Sequence, residues 1–292
     1  MTATTWPRQP SVLTRLWRQP LGRIGLAILV AIALFLLLGP LFYDVDPTRT
    51  NTDVILALPS TDHPLGTDRL GRDTFARLMR GGLVSIPAGI AAVGLGAIVG
   101  SVIGIASGFV GGWIDNVTMR VIDIMLTFPT LLTAIVMVAI LGPSVGSAII
   151  AISVAALPTF ARVLRSAALP LRTAAYVDAA RVSNTGPLRM LFLHVIPNTF
   201  HVLLVLMIIG MGNGIVVLSA LSFLGIGVQP PEADWGVMLT EGVQVLTIAP
   251  ITAIAPALAL VVTVVGINFV GEGLAAALDV RSARLETLKR PK

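Results

Sequence analysis

Long apolar stretches separated by short polar ones run through most of the chain. Six of them, residues 24–43, 84–109, 121–141, 147–164, 200–223 and 251–270, approach or exceed the length needed to cross a bilayer, which takes about 20 residues of helix. None alternates apolar and polar positions as a strand does. A helical bundle is therefore the spanning architecture that satisfies the backbone within each segment. The fourth run is the shortest and holds Pro158. The first follows Arg15, Arg18 and Arg23, as the apolar part of a signal peptide would. Its length exceeds such a region and no small-residue cleavage site follows Pro40, so it reads as a retained anchor.

Composition agrees with this pattern. Of 292 residues 55% are hydrophobic and 12% charged, and mean hydropathy is +0.90, whereas soluble domains carry about 25% charged residues. The net charge of +5 does not point to nucleic acid, because the basic residues flank apolar runs instead of forming one basic face. With the N-terminus inside, 15 of the 20 Lys and Arg residues fall in inner segments and 5 in one outer loop. That bias sets both termini in the cytoplasm. The chain then divides into a cytoplasmic segment 1–23, a first transmembrane helix 24–43, an external loop 44–82, a five-helix core 83–275 and a cytoplasmic tail 276–292. Cysteine is absent, which excludes disulfides and thiolate sites.

Within this frame certain positions stand out. Gly96, Gly100, Gly104 and Gly108 recur every fourth residue and share nearly one helix face, where a neighbouring helix can approach closely. That neighbour is either a helix of the same chain or a partner subunit. Residues 72–80 have Phe75, Leu78 and Met79 on one face and Asp73, Arg77 and Arg80 on the other, the pattern of an interfacial helix. Asn213 and Asn268 are polar groups inside apolar runs. They serve either helix–helix hydrogen bonding or the lining of a translocation path. Gly142-Pro143-Ser144-Val145-Gly146 has the spacing of a hydrolase elbow but lacks the strand before it and the histidine partner. His63, His194 and His201 lack metal-ligand spacing.

The loop 165–198 carries the most information. Tyr176–Val182 reads as a short helix, Asn184-Thr185-Gly186 as a turn, and Pro187 as the start of a second helix that Pro197 ends. This segment resembles the EAA loop of the membrane subunits of binding-protein-dependent ABC importers. Asp178 stands for the Glu and Ala179 and Ala180 match. Asn184 occupies the glycine position, with Gly186 two residues on, and His194, Pro197 and Asn198 match the ending. His63–Asp68 with Gly71-Arg72-Asp73, the run from Leu221 to Pro231 with Trp235-Gly236, and Asn268–Leu274 resemble signatures of the dipeptide/oligopeptide/nickel branch, in the order of a C-type permease similar to DppC or OppC.

The resemblance implies an all-α ABC type I importer permease of the MetI-like fold, paired with a B-type permease. It also implies two cytoplasmic ATPases that bind ATP and Mg, and an external solute-binding protein. Tyr176, Asp178, Ala179, Ala180, Asn184, Gly186, His194 and Pro197 would form the coupling loop against an ATPase. The implied cargo is short peptides, with nickel, glutathione or another small solute as the alternative. No phosphate-binding G-x-x-x-x-G-K-[ST] sequence occurs, so no ATP hydrolysis and no cofactor are expected of this chain itself.

Overall fold

A computed structural model describes residues 12–175, 177 and 186–278, and among these the regular structure is helical. The helices are α1 (Val12–Arg18), α2 (Pro20–Phe42), α3 (Thr74–Val110), α4 (Gly112–Leu126), α5 (Thr130–Leu141), α6 (Val145–Ala168), α7 (Ile196–Phe223), α8 (Trp235–Val243) and α9 (Ile251–Leu278). Five helical stretches are long and apolar enough to cross a membrane. A sixth span exists if α4 and α5 are taken as one bent pair.

Side-chain caps mark several starts. Asp73 Oδ1 accepts from Ala76 N (2.7 Å) ahead of α3. Ser144 Oγ accepts from Ser147 N (3.0 Å) ahead of α6, so the elbow-like serine is a helix cap. Asp234 Oδ1 accepts from Val237 N (2.8 Å) ahead of α8. Each satisfies an amide that the first turn leaves without an intrahelical partner. Helix α3 stops where Gly111 takes φ +69°, a left-handed conformation that suits glycine.

Helices α3 and α6 form the spine, with α7 and α9 packed beside it. Helix α2 packs along α9. Toward its start, Cβ atoms on Gly25 and Gly273 would fall 2.7 Å from the Gly266 carbonyl and 2.5 Å from the Gly22 Cα. At the other end its Leu36 packs on Gly82 of α3.

Three expectations are corrected. Residues 72–80 do not form a separate interfacial helix. Helix α3 is continuous for 37 residues from Thr74, roughly 55 Å long, and extends beyond a hydrocarbon core of about 30 Å. Leu78, Met79 and Arg77 are all buried, Arg77 at 1% exposure, because the 44–73 segment and α8 fold over this end.

The stretch 121–141 is not a straight span, because α4 and α5 meet at 91°. Pro129 is extended at ψ 135° and lacks an amide proton, and the residue before a proline is biased away from helix. Asp115 and Asp123 of α4 pair with Arg165 and Arg162 of α6. Eight residues of α4 thus advance about 12 Å while three of α6 advance about 4.5 Å, so α4 runs crosswise.

Pro197 does not end a helix. A turn at Pro187–Met190 passes through a π-helical turn, Leu191–Val195, directly into α7. The wider turn accommodates the proline. Asn198 Nδ2 donates to the His194 carbonyl (2.6 Å), and Thr199 Oγ1 donates to Val195 O (3.2 Å).

Candidate functional site

The four periodic glycines face α6 of the same chain. A Cβ on Gly96 would lie 2.6 Å from the Ser153 carbonyl oxygen, on Gly100 2.5 Å from that of Leu157, and on Gly108 2.9 Å from that of Arg165. Gly104 meets Ala161 more closely still. Such backbone-to-backbone approach is open only to residues without a side chain. Ser153 Oγ donates to Ala92 O across the same seam (2.7 Å). At its far end Arg165 holds Asp115 with two hydrogen bonds, Nε–Oδ1 2.5 Å and Nη2–Oδ2 2.6 Å, clamping α4 to α6. The paired fork geometry is one that arginine supplies and lysine does not.

Of the coupling-loop residues, Tyr176, Asp178, Ala179, Ala180 and Asn184 lie outside the described residues. Gly186 is exposed, and His194 sits in the π-helical turn one residue from buried Val195. The two ends of the loop are anchored in one apolar cluster. Val177, Met190 and Val195 pack with Leu164 and Ala168 of α6 and Ile105 and Phe109 of α3.

Asn213 is exposed midway along α7. Asn268 of α9 is half-buried, its Oδ1 3.5 Å from where a Cβ on Gly212 would stand, and Glu272 one turn on is exposed. The structure does not bring Asn213 and Asn268 to one point. Asn268 turns toward the α7–α9 contact and Asn213 away from it.

At the opposite end a buried ionic network ties the 44–73 segment to α8. Asp68 accepts from Leu70 N (2.8 Å), Arg72 N (3.0 Å) and Arg72 Nε (2.7 Å), and it pairs with Arg77. Arg72 Nη2 donates to both Glu241 oxygens at 2.9 Å, and Arg77 Nη1 lies 2.7 Å from Glu241 Oε2. Asp73 Oδ2 holds Tyr43 OH at 2.7 Å and His63 Nδ1 at 2.8 Å. Trp235, 1% exposed, donates from Nε1 to Leu78 O (3.0 Å). Beside it Asp234 is fully buried, and burial pushes its carboxyl up to about 6 against hydrogen bonds from its own helix start.

Residues 100–284 match the family described as binding-protein-dependent transport system inner membrane component. The chain belongs to this family. It is a permease subunit of an ABC importer, a family in which separate subunits hydrolyse ATP and a binding protein delivers the solute. Residues 11–59, which include α1 and α2, match the N-terminal transmembrane domain of oligopeptide transport permease C. The dipeptide transport permease DppC of Alkalihalophilus pseudofirmus is 38% identical over 265 residues, 91% of this chain and 87% of that one. A glutathione transport permease, GsiD of Pectobacterium atrosepticum, is 39% identical over 221 residues, 76% of this chain and 73% of that one. A peptide transport permease of Brucella suis, described as putative, is 38% identical over 276 residues, 94% and 93% of the two chains. Among solved structures, an inward-facing MetNI methionine ABC transporter superposes with TM-score 0.56 at 17% identity, covering 69% of this chain and 96% of that one. It shares the fold.

In this permease the signature segments before α3 and around Trp235 are two halves of one construction. Sequence reading noted them separately and set Asp73, Arg77 and Arg80 on the polar face of an interfacial helix; Arg80 is exposed, but Arg77 is buried. The signal available was chemical: arginines and aspartates at short spacing ahead of an apolar span need partners if that end is covered. Glu241, which supplies two of those partnerships, had no signal of its own.

Proposed function

We propose that this chain is the C-type half of a heteromeric permease that imports short peptides, with both termini and the 165–198 loop in the cytoplasm. The anchoring of both loop ends in one cluster with α3 and α6 is the observation that carries the coupling role. A displacement of the loop by a closing ATPase pair pulls on Val177 and Val195, hence on α6 and α7, and biases the bundle between its two access states. The DppC-type and peptide-permease relatives support peptides as cargo. The glutathione permease, at comparable identity, supports a tripeptide-sized solute as the second reading.

Asn213 supports the heteromeric pairing. An amide exposed at mid-span is costly against lipid, so this face of α7 meets the B-type partner and lines the path between them. Coupling is tested with Ala180→Glu, and with Arg281→Glu in the tail as charge control. The loop variant should insert and bind the partner permease, yet lose ATPase co-purification or substrate-stimulated hydrolysis. Full coupled transport by Ala180→Glu in reconstituted vesicles would remove the role from this loop.

A further inference from the structure

Helix α2 packs along α9 and touches α3 chiefly at Leu36 and Gly82, which leaves an opening between α2 and α3. A cavity of about 380 Å³ lies there, with α7 and α9 as its floor. Ala33 and Leu37 of α2 and Pro87 and Ile90 of α3 form the mouth, all of them exposed, and Met211 and Ile267 lie on the floor. The lining is apolar except for Thr263, whose hydroxyl spends its hydrogen on the Ala259 carbonyl at 2.7 Å and keeps only an acceptor oxygen. Ala33, Met211 and Thr263 each sit near the midpoint of their helices, Pro20–Phe42, Ile196–Phe223 and Ile251–Leu278. The cavity is therefore at hydrocarbon depth and opens sideways.

Chemistry and size select the occupant. Water needs two or more polar partners and finds at most the Thr263 oxygen in this wall. A peptide or other hydrogen-bonding solute would leave its polar groups unsatisfied here, so this is not a transport site. A transmembrane helix is about 10–12 Å across and cannot lie between α2 and α3 while Leu36 packs against Gly82. An unbranched hydrocarbon chain meets every condition: it is apolar, narrow, and present at that depth beside the opening.

We propose that the cavity binds one acyl chain of a membrane phospholipid, which packs the N-terminal helix α2 against the permease core. The tight α2–α9 contact at Gly25 and Gly266 and the α2–α3 contact at Leu36 and Gly82 close the two ends of the opening. The chain completes the interface between them.

The test uses the assembled transporter in nanodiscs containing a phospholipid with a mid-chain diazirine, with the adducts mapped by peptide mass spectrometry after photolysis. Adducts should concentrate on the peptides holding Ala33, Ile90 and Met211. Exposed Ile140 of α5 is the bulk-lipid reference. Ala33→Trp fills the cavity from one wall and Ile90→Phe from the other. Each should lower the cavity adducts several-fold with the Ile140 adducts unchanged, and the second serves if the first does not assemble. Even labelling across all apolar faces, or cavity adducts that survive both substitutions, would overturn the assignment. The readout involves neither ATPase docking nor transport, so its failure is separable from failure of the coupling reading.

Discussion

Gly100→Ala places a single methyl in the α3–α6 seam, and the geometry sets its cost. The new Cβ would stand 2.5 Å from the Leu157 carbonyl oxygen and 2.9 Å from Phe160 Cβ, where ordinary contact begins at 3.4 Å. The helices must part by about 1 Å, and a gap of that size forfeits a quarter to a half of each dispersion contact along the seam. Overpacking of this kind costs about 1–3 kcal/mol. The gain from replacing a helical glycine by alanine is about 0.5–1 kcal/mol, so the net expectation is a loss of about 1–2 kcal/mol. Gly94 of the same helix is the internal control, because nothing lies within 4 Å of its added Cβ. Gly94→Ala should be neutral to stabilising. The unfolding midpoint of the purified complex in mixed micelles should therefore fall for Gly100→Ala and hold or rise for Gly94→Ala. Equal shifts of the same sign would show that Gly100 is not in close contact and that the seam argument is wrong.

Three further outcomes are expected. Asp234 has its folded pKa raised from 3.8 to about 6, so its burial is harmless below about pH 4, and stability is lost as pH rises through 6. The loss is about 3 kcal/mol. Asp234→Asn keeps the α8 cap acceptor and should flatten the stability profile between pH 4 and 7; an unchanged profile would place the titration elsewhere. Arg165→Lys retains charge but gives up the paired hydrogen bond to Asp115 and should cost about 1 kcal/mol, with Arg165→Met costing more; equal unfolding midpoints for all three proteins would show the clamp to be inert. In this cysteine-free chain, single cysteines at Ser60 and Gln229 should react with an impermeant maleimide from outside, and those at Thr4 and Thr287 only after permeabilisation; external reaction at Thr4 would invert the topology.

The apolar runs and the glycine period were legible in sequence because each reports a local requirement. A span needs about 20 apolar residues, and Gly96, Gly100, Gly104 and Gly108 each meet α6 backbone. The bend at Pro129 was hidden because hydropathy averaged over a span measures composition and not direction, and the three residues Thr127-Phe128-Pro129 are too few to break the apolar run 121–141. The period of Asp115, Asn116, Arg120 and Asp123 held the missing information: it gives α4 one charged edge, while Trp113, Val117, Val121 and Ile124 stand exposed along another. Burial of Arg77 was illegible for a different reason. Its partners are Asp68, nine residues away, and Glu241 on α8, and the local run of arginines and aspartates calls for partners without naming the distant one. Pro197 was misread because the π-helical turn Leu191–Val195, which has no plain signature in sequence, carries the helix past it.

The Arg72–Glu241 pair joins residues 169 apart, and Trp235 reaches back 157 residues to Leu78. A chain made from its N-terminus inserts α2 and α3 long before α8 exists, so during synthesis Arg72 and Arg77 have Asp68 as their only acid partner from this network. Closure of the 44–73 segment is thus a late event, completed only when α8 folds back onto it. A chain halted before Trp235 should leave Arg69, Arg72, Arg77 and Arg80 open to trypsin added from outside, and the finished chain should protect the two that the network buries.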